Sequence, residues 1–192
     1  MSMQHRIFLV APLGEAPHGP QRRHWEQRHG PLFAGLPGLR GYRQNRPLDR
    51  EWERGRGWFC SETWFDDRSS EAASFATAFY RERVTPDEAS FLDRDAAWQA
   101  VVLGEELPQP HPAPWRVLWF GDSPPDGPAW HGAELTRPAP GPDGVRRLYA
   151  AWFDTESAAL AVTRAARQGV VAFACRPHLF VVGSTSTRED QP

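Results

Sequence analysis

The chain has 192 residues and a formal net charge of -2, which is long enough for one large domain or two small ones and leaves no basic footprint for nucleic acid. No apolar run approaches the roughly 20 residues that cross a membrane as a helix, and Met1 to Val10 lacks the cationic start and long apolar stretch of a signal peptide, so a cytoplasmic protein is expected. The two cysteines, Cys60 and Cys175, have no metal-binding spacing and read as small buried residues of a reducing compartment, with a single disulfide left open.

Residues 5–11 are an apolar run of β-formers and predict a buried strand. Residues 14–20, rich in Gly and Pro, read as a loop. Trp25, His29, Leu32, Phe33 and Leu36 then recur at three- and four-residue steps, the spacing of one helix face. Leu36, Pro37 and Gly38 stop that helix, because a residue before proline avoids helical dihedrals and glycine permits a sharp turn. Residues 39–45 alternate in character and predict a strand leaving the turn. His29 is the one titratable group on the apolar face. Two readings are open for it: a pocket histidine available for proton transfer or ligand binding, and a core histidine satisfied by a backbone carbonyl.

Residues 47–57 are charged and read as an exposed connection. Residues 58–65 predict a strand with Trp58, Cys60, Glu62 and Trp64 on one face and Phe59, Ser61, Thr63 and Phe65 on the other. Asp66 or Ser69 is placed to cap the next helix, whose apolar face carries Ala72, Phe75, Ala76, Phe79 and Tyr80. Pro86 closes that region, residues 87–93 form a short helical turn, and residues 100–105 supply another strand. The resulting order, β-α-β-β-α-β, is the ferredoxin-like arrangement.

Proline at alternate positions makes residues 108–114 a stiff linker, with His111 solvated. The pattern then restarts. Residues 116–120 echo residues 6–10, and Ala151-Trp152-Phe153-Asp154 echoes Thr63-Trp64-Phe65-Asp66. A helix is expected over residues 156–168, with Phe173 and residues 179–182 supplying the last strand. Residues 122–133 replace the first helix with Pro- and Gly-rich sequence, so the second copy is the shorter one, and residues 184–192 form a polar tail. The expected division is 1–107, 108–114, 115–183 and 184–192. Two helices cover only one face of a four-stranded sheet, so the bare faces of two such sheets are free to close on each other. The expected architecture is therefore α+β: tandem ferredoxin-like β-α-β-β-α-β halves forming an intrachain pseudo-dimeric α/β barrel, with a pocket in the space between the halves.

Four segments resemble the EthD-like family of the dimeric α/β-barrel superfamily. They are Trp25-x-x-x-His29-Gly30-Pro31-Leu32, Leu36-Pro37-Gly38-Leu39-x-x-Tyr42-x-x-Asn45, Glu62-x-Trp64-Phe65-Asp66 and Asp87-Glu88-x-x-Phe91-Leu92-Asp93. They lie in order across residues 5–107. The second half is recognisable mainly by Ala151-Trp152-Phe153-Asp154 and lacks the His-bearing helix, so no second equivalent site is expected. Relatives include a protein associated with alkyl ether degradation and tailoring enzymes of aromatic polyketide pathways such as anthrone dehydratases. The superfamily also holds cofactor-free monooxygenases, muconolactone isomerases and haem-handling proteins, so the fold alone does not fix function.

The resemblance implies His29 as a general acid/base on a hydrophobic or aromatic small molecule. Tyr42 is then a hydrogen-bond donor beside it, or a core tyrosine. Trp25, Phe33, Asn45 and Trp64 are candidate substrate contacts, with core packing or a turn role as their alternatives. Asp87 and Asp93 are possible acidic partners, or caps of a short turn. His24 is read as solvated, and His131 and His178 as second-half groups able to reach the pocket. The sequence has no HExxH, CxxC or His-His-carboxylate spacing for a metal and no GxGxxG or phosphate loop, so no cofactor is expected. The expected function is cofactor-independent acid-base chemistry, that is dehydration, isomerisation or elimination, in the manner of a lyase or isomerase. The alternatives are a non-catalytic ligand-binding or accessory protein, a cofactor-free monooxygenase, or a haem-binding relative. The expected partner is a hydrophobic small-molecule ligand, with no nucleic acid and no membrane, and the chain acts as a monomeric pseudo-dimer or a homodimer.

Overall fold

Alternating side chains dominate the strands, and the computed structural model, which describes residues 3–14, 18–49, 58–104, 107–138, 146–166 and 170–182, closes them into a barrel. The chain runs β1 (Gln4–Pro12), α1 (His18–His24), a π turn (Trp25–His29), α2 (Gly30–Ala34), β2 (Gly41–Pro47) and β3 (Phe59–Phe65). It continues through α3 (Arg68–Phe75), a second π turn (Tyr80–Val84), α4 (Thr85–Ala89) and β4 (Leu92–Leu103). The second half supplies β5 (Trp115–Phe120), β6 (His131–Leu135), β7 (Arg147–Phe153), α5 (Glu156–Arg164) and β8 (Val171–Val182).

Neighbouring strands are antiparallel throughout, in the order β1-β3-β2-β8-β5-β7-β6-β4. With the strands of each half counted separately, both halves follow the order fourth, first, third, second. Two seams join them. β2 pairs with β8 along most of its length, and β4 meets β6 through Val102 opposite Leu135 and Leu103 opposite Glu134.

Eight strands leave an interior that side chains just fill. Ile7, Leu9, Cys60, Trp98, Ala100, Leu118, Phe120 and Phe173 point inward and form one buried cluster. Each large aliphatic or aromatic side chain contributes about 1.5–3 kcal/mol by leaving water. The space between the halves is thus packed core in its apolar part. The cleft lies instead on the outer face of the first sheet, beneath the helices. The expected pocket is displaced from one side of the sheet to the other.

Several elements differ from expectation for local reasons. Asp67, not Asp66 or Ser69, caps α3, its carboxylate accepting from the Ser70 N–H at 2.7 Å. The long second helix is broken after Phe75, and the Thr77 hydroxyl restarts it by accepting from the Tyr80 N–H at 3.2 Å. Pro86 does not end a helix. It sits in the first turn of α4, where its missing N–H leaves no bond unmade. β4 begins at Leu92, well before residue 100, and β8 is one continuous strand. β6 lies partly inside the stretch read as loop. The linker is packed rather than free: Pro108 is buried, and His111 stacks on Trp152 with ring centroids 4.4 Å apart. Gly41 permits this, since a Cβ there would come within 3.1 Å of Pro108 and 3.2 Å of the Trp64 ring. The end of the expected helix over 156–168 and the tail over 184–192 lie outside the described residues. Both cysteines are buried thiols without a disulfide. Among the described residues no helix is long and apolar enough to cross a membrane.

Candidate functional site

A cleft of about 530 Å³ opens between the outer face of β1 and β4 and the segment running from α3 to α4, lined by Arg6, Phe8, Arg68, Phe75, Tyr80, Glu88 and Arg94, among others. It continues inward as a chamber of about 70 Å³ that shares Phe8, Val10, Phe75, Tyr80, Glu88 and Leu92 with it. The chamber adds Trp25, His29, Phe33, Tyr42, Phe59, Ser61 and Thr63. The strand residues among these are the outward-facing set, one position out of phase with the core set. Both π turns contribute, one through Trp25 and His29 and the other through Tyr80. A π turn widens the helix by one residue and recurs at functional sites because it re-aims side chains.

His29 is only 4% exposed and its ring meets Phe33 and Phe91. Its Nδ1 lies 2.9 Å from Asp87 Oδ2, and His24 Nε2 lies 2.8 Å from Asp87 Oδ1. Burial pushes the Asp87 carboxyl up, but the bonds to His29 and His24 outweigh it and hold the group below its ordinary value. Asp87 is therefore ionised at neutral pH and only accepts. That assigns the proton of neutral His29 to Nδ1 and leaves Nε2 as a lone pair, with no hydrogen-bond partner among the described residues. A carboxylate that orients an imidazole and stabilises its protonated form is the arrangement of a general base with its positioning group.

Tyr42 closes the chamber. Its hydroxyl accepts from Gln44 Nε2 at 3.3 Å, and burial pushes its pKa up to about 12, so it stays a phenol. Gln44 Nε2 also donates to the Trp25 carbonyl at 2.8 Å, which ties the π turn to β2. Glu88 borders both compartments. Burial raises its pKa, and the Tyr80 hydroxyl donates to it at 3.2 Å.

Residues 20–95 match the EthD domain family model. That stretch is similar to EthD domains. No curated protein matches the sequence. Among solved structures, the chain is similar to an anthrone oxidase-like protein at 10% identity and a TM-score of 0.58, with 97% of each chain covered. It is similar to a candidate monooxygenase from Lactobacillus acidophilus NCFM at 8% identity and a TM-score of 0.51, covering 95% of this chain and 98% of that one. An EthD-family protein of Bacillus halodurans C-125 aligns at 18% identity and a TM-score of 0.39, over 54% of this chain and 99% of that one. At such identities the likeness is one of fold.

The expected site residues separate into groups. Trp25, His29, Phe33 and Tyr42 come together in the chamber, and Asp87 binds His29 from behind. Asp93 is elsewhere: it caps the start of β4, accepting from the N–H groups of Asp95 and Ala96 at 3.1 and 3.2 Å. His24 is a partner of Asp87 rather than a solvated group. His131 and His178 are exposed and do not line the cleft. Asn45 and Trp64 face the opposite side of the sheet, inside the barrel. There Glu62, 1% exposed, accepts from Asn45 Nδ2 at 2.8 Å and from Arg116 Nη1, and meets His5 Nε2 at 3.1 Å and Arg43 Nη1 at 3.5 Å. Trp64 stacks on His5 at 4.2 Å. Burial alone would raise the Glu62 carboxyl, but Arg116, Arg43 and His5 hold it well below the carboxylate range.

The residues not anticipated are Glu88 and Tyr80, together with the outward set Phe8, Ser61 and Thr63. Strand alternation set Ser61 and Thr63 apart from Cys60, Glu62 and Trp64, without saying which set faces the helices. Glu88 stands beside Asp87 in the family motif, but the short-turn reading hid that its side chain turns into the cleft.

Proposed function

We propose that the cleft binds a flat aromatic small molecule and that His29, oriented by Asp87, removes an acidic proton from it. The observation that carries this is the 2.9 Å bond from His29 Nδ1 to Asp87, which leaves Nε2 as a base in the wall of the inner chamber. The aromatic lining suits a ring system, and cavities of a few hundred Å³ suit drug-sized ligands. The chamber has room for the reacting edge of a ring, with its body in the outer cleft. In the step proposed, a C–H bond breaks, its electron pair moves into the conjugated carbonyl to give an enolate, and the proton goes to Nε2. The phenol of Tyr42 donates to the developing oxyanion. Dehydration, isomerisation and cofactor-free oxygenation all begin with this step. The name of the anthrone oxidase-like neighbour makes anthrones the first substrates to offer.

The shared strand order of the two halves supports a further reading: the chain is an intrachain pseudo-dimer divided at the 108–114 linker, with one reactive site, in the first half. The test is deuterium exchange. Anthrone incubated with the protein in deuterated buffer should exchange its benzylic protons faster than in buffer, and His29→Gln should remove that acceleration. Exchange by His29→Gln at the wild-type rate would reject His29 as the base. Saturable quenching of tryptophan fluorescence by anthrone with no acceleration of exchange would favour the non-catalytic binding reading instead.

A further inference from the structure

We infer a second binding site, for a small carboxylate, at the end of the barrel where Arg43 and Arg116 meet Glu62. This end lies across the sheet from the cleft, since Glu62 and Trp64 alternate with Ser61 and Thr63, and the inference is independent of the reading of His29.

Charge states the problem. Two guanidinium groups face one carboxylate, and Glu62 is 1% exposed while each arginine side chain is 8% exposed. Guanidinium groups do not deprotonate in proteins, so one positive charge is left over. A buried charge without a counter-charge is costly unless something supplies one.

Hydrogen-bond inventory says what is missing. Glu62 Oε1 already receives Arg116, Asn45 and, at 3.5 Å, Arg43, and Asn45 Oδ1 receives Arg116 Nη1 at 3.0 Å. Glu62 Oε2 receives His5 Nε2 at 3.1 Å. The N–H donors Arg116 Nε and Trp64 Nε1 are buried with no hydrogen-bond partner among the described residues, as is His5 Nδ1. Among the described residues Arg43 makes one hydrogen bond, the long one to Glu62. Buried polar groups in native proteins are rarely left this way.

The missing object carries one negative charge, offers two acceptor oxygens and is flat. The Arg43 guanidinium lies over the rings of Trp64 and Trp152, at 5.3 and 5.8 Å from their centroids, and its N–H donors form a planar fork. A carboxylate fits that fork in bidentate fashion. Trp152 is half-buried and covered by His111 of the linker, with ring centroids 4.4 Å apart.

The experiment titrates the full chain with sodium acetate or formate against sodium chloride at constant ionic strength and follows the melting temperature. At about ten times the dissociation constant, a rise of about 3–6 °C is expected for a chain of this size. Arg43→Gln should abolish the rise. Phosphate and sulfate form the comparison arm, and a larger rise with either overturns the assignment to a carboxylate. Equal rises in wild type and Arg43→Gln would reveal a general salt effect and overturn the site. A second readout does not depend on the variant folding: the indole N–H resonance of Trp64 and the Arg43 Nε–H resonance should move saturably with acetate in the wild-type protein. Resonances that stay fixed through the titration overturn the proposal.

Discussion

Replacing Glu62 by Gln tests the charge arithmetic of the barrel end. The amide keeps an oxygen for Arg116 and Asn45 but offers no charge to two buried guanidinium groups. Removing one partner of a buried ion pair costs about 3–5 kcal/mol, because it leaves the other charge uncompensated. At about 2–4 °C per kcal/mol for this length, the melting temperature should fall by about 6–20 °C. Arg43→Met makes the opposite change. It leaves Arg116 and Glu62 matched one to one and gives up a 3.5 Å contact and the cation–π contacts with Trp64 and Trp152 at 5.3 and 5.8 Å. A desolvated cation–π contact is worth about 2 kcal/mol, and loss of the surplus charge offsets part of that. The net cost should stay below that of Glu62→Gln. Urea unfolding in chloride buffer, followed by tryptophan fluorescence, measures both variants. If Arg43→Met costs as much as Glu62→Gln, the cluster is not carrying a surplus cation and the reasoning fails. The same pair sets an acid dependence. The folded-state pKa of Glu62 lies well below the ordinary 4.5, so its contribution is complete above that value and is lost as pH falls below it. Glu62→Gln should flatten that acid limb of the stability profile.

His29→Gln and Asp87→Asn should each slow anthrone deuterium exchange by about 10²–10⁴ while shifting the melting temperature by only a few degrees, as deletion of a base or its positioning group predicts; an unchanged exchange rate refutes the dyad. Tyr42 and Tyr80 are two of three tyrosines, and burial pushes both to about 12 from an ordinary 10.0. Their contribution to stability is complete below about 10 and lost as pH rises from there through about 12. In an ultraviolet titration Tyr42→Phe and Tyr80→Phe should each remove one late-ionising chromophore, and ionisation of either residue near 10 in the folded protein contradicts its burial. Gly30→Ala places a Cβ 2.5 Å from the Phe180 ring and 3.0 Å from Gln44 Nε2. Overpacking of about 1–3 kcal/mol should outweigh a helix-propensity gain of about 1 kcal/mol, and a rise in the urea midpoint would show that α2 does not approach β8 and β2 this closely.

The repeating alternation of strands and the helical spacing from Trp25 to Leu36 were legible, because both are set by local periodicity. Which face of a sheet a cavity occupies was not. Alternation separates Tyr42 from Arg43 and Ser61 from Glu62, but it does not say which set faces helices and which faces the other sheet. That is why Asn45 and Trp64, grouped with His29 on sequence, belong to a different cluster. The partnership of His29 with Asp87 spans 58 residues. It depends on α4 returning against the first π turn, which no local pattern encodes. Asp93 looked equivalent to Asp87 in the family motif, yet one side chain turns to the helices and the other caps the strand. π turns left no trace either, since one extra residue per turn does not disturb a short apolar repeat enough to be seen. β6 was missed because five residues, His131 to Leu135, carry only Ala133 and Leu135 as apolar positions.

The asymmetry of the two halves follows from what a cleft requires. A groove on a sheet needs two walls, and over the first sheet these are the segment from α1 to α2 and the segment from α3 to α4. The first wall carries His29, and the second carries Asp87 and Glu88. Over the second sheet, α5 packs Ala159 and Leu160 onto Val117 and Ala174, with Leu48 reaching across from the first half. No helix is found among the described residues between β5 and β6, so α5 has no facing helical wall there. The second half nevertheless completes the molecule. β8 and β6 cover the two edges that the first sheet would otherwise expose, and Arg116 of β5 supplies a charge to the barrel end that the first half cannot provide alone. The barrel closes without a helix between β5 and β6, because barrel closure depends on strand order and the cleft depends on paired helices.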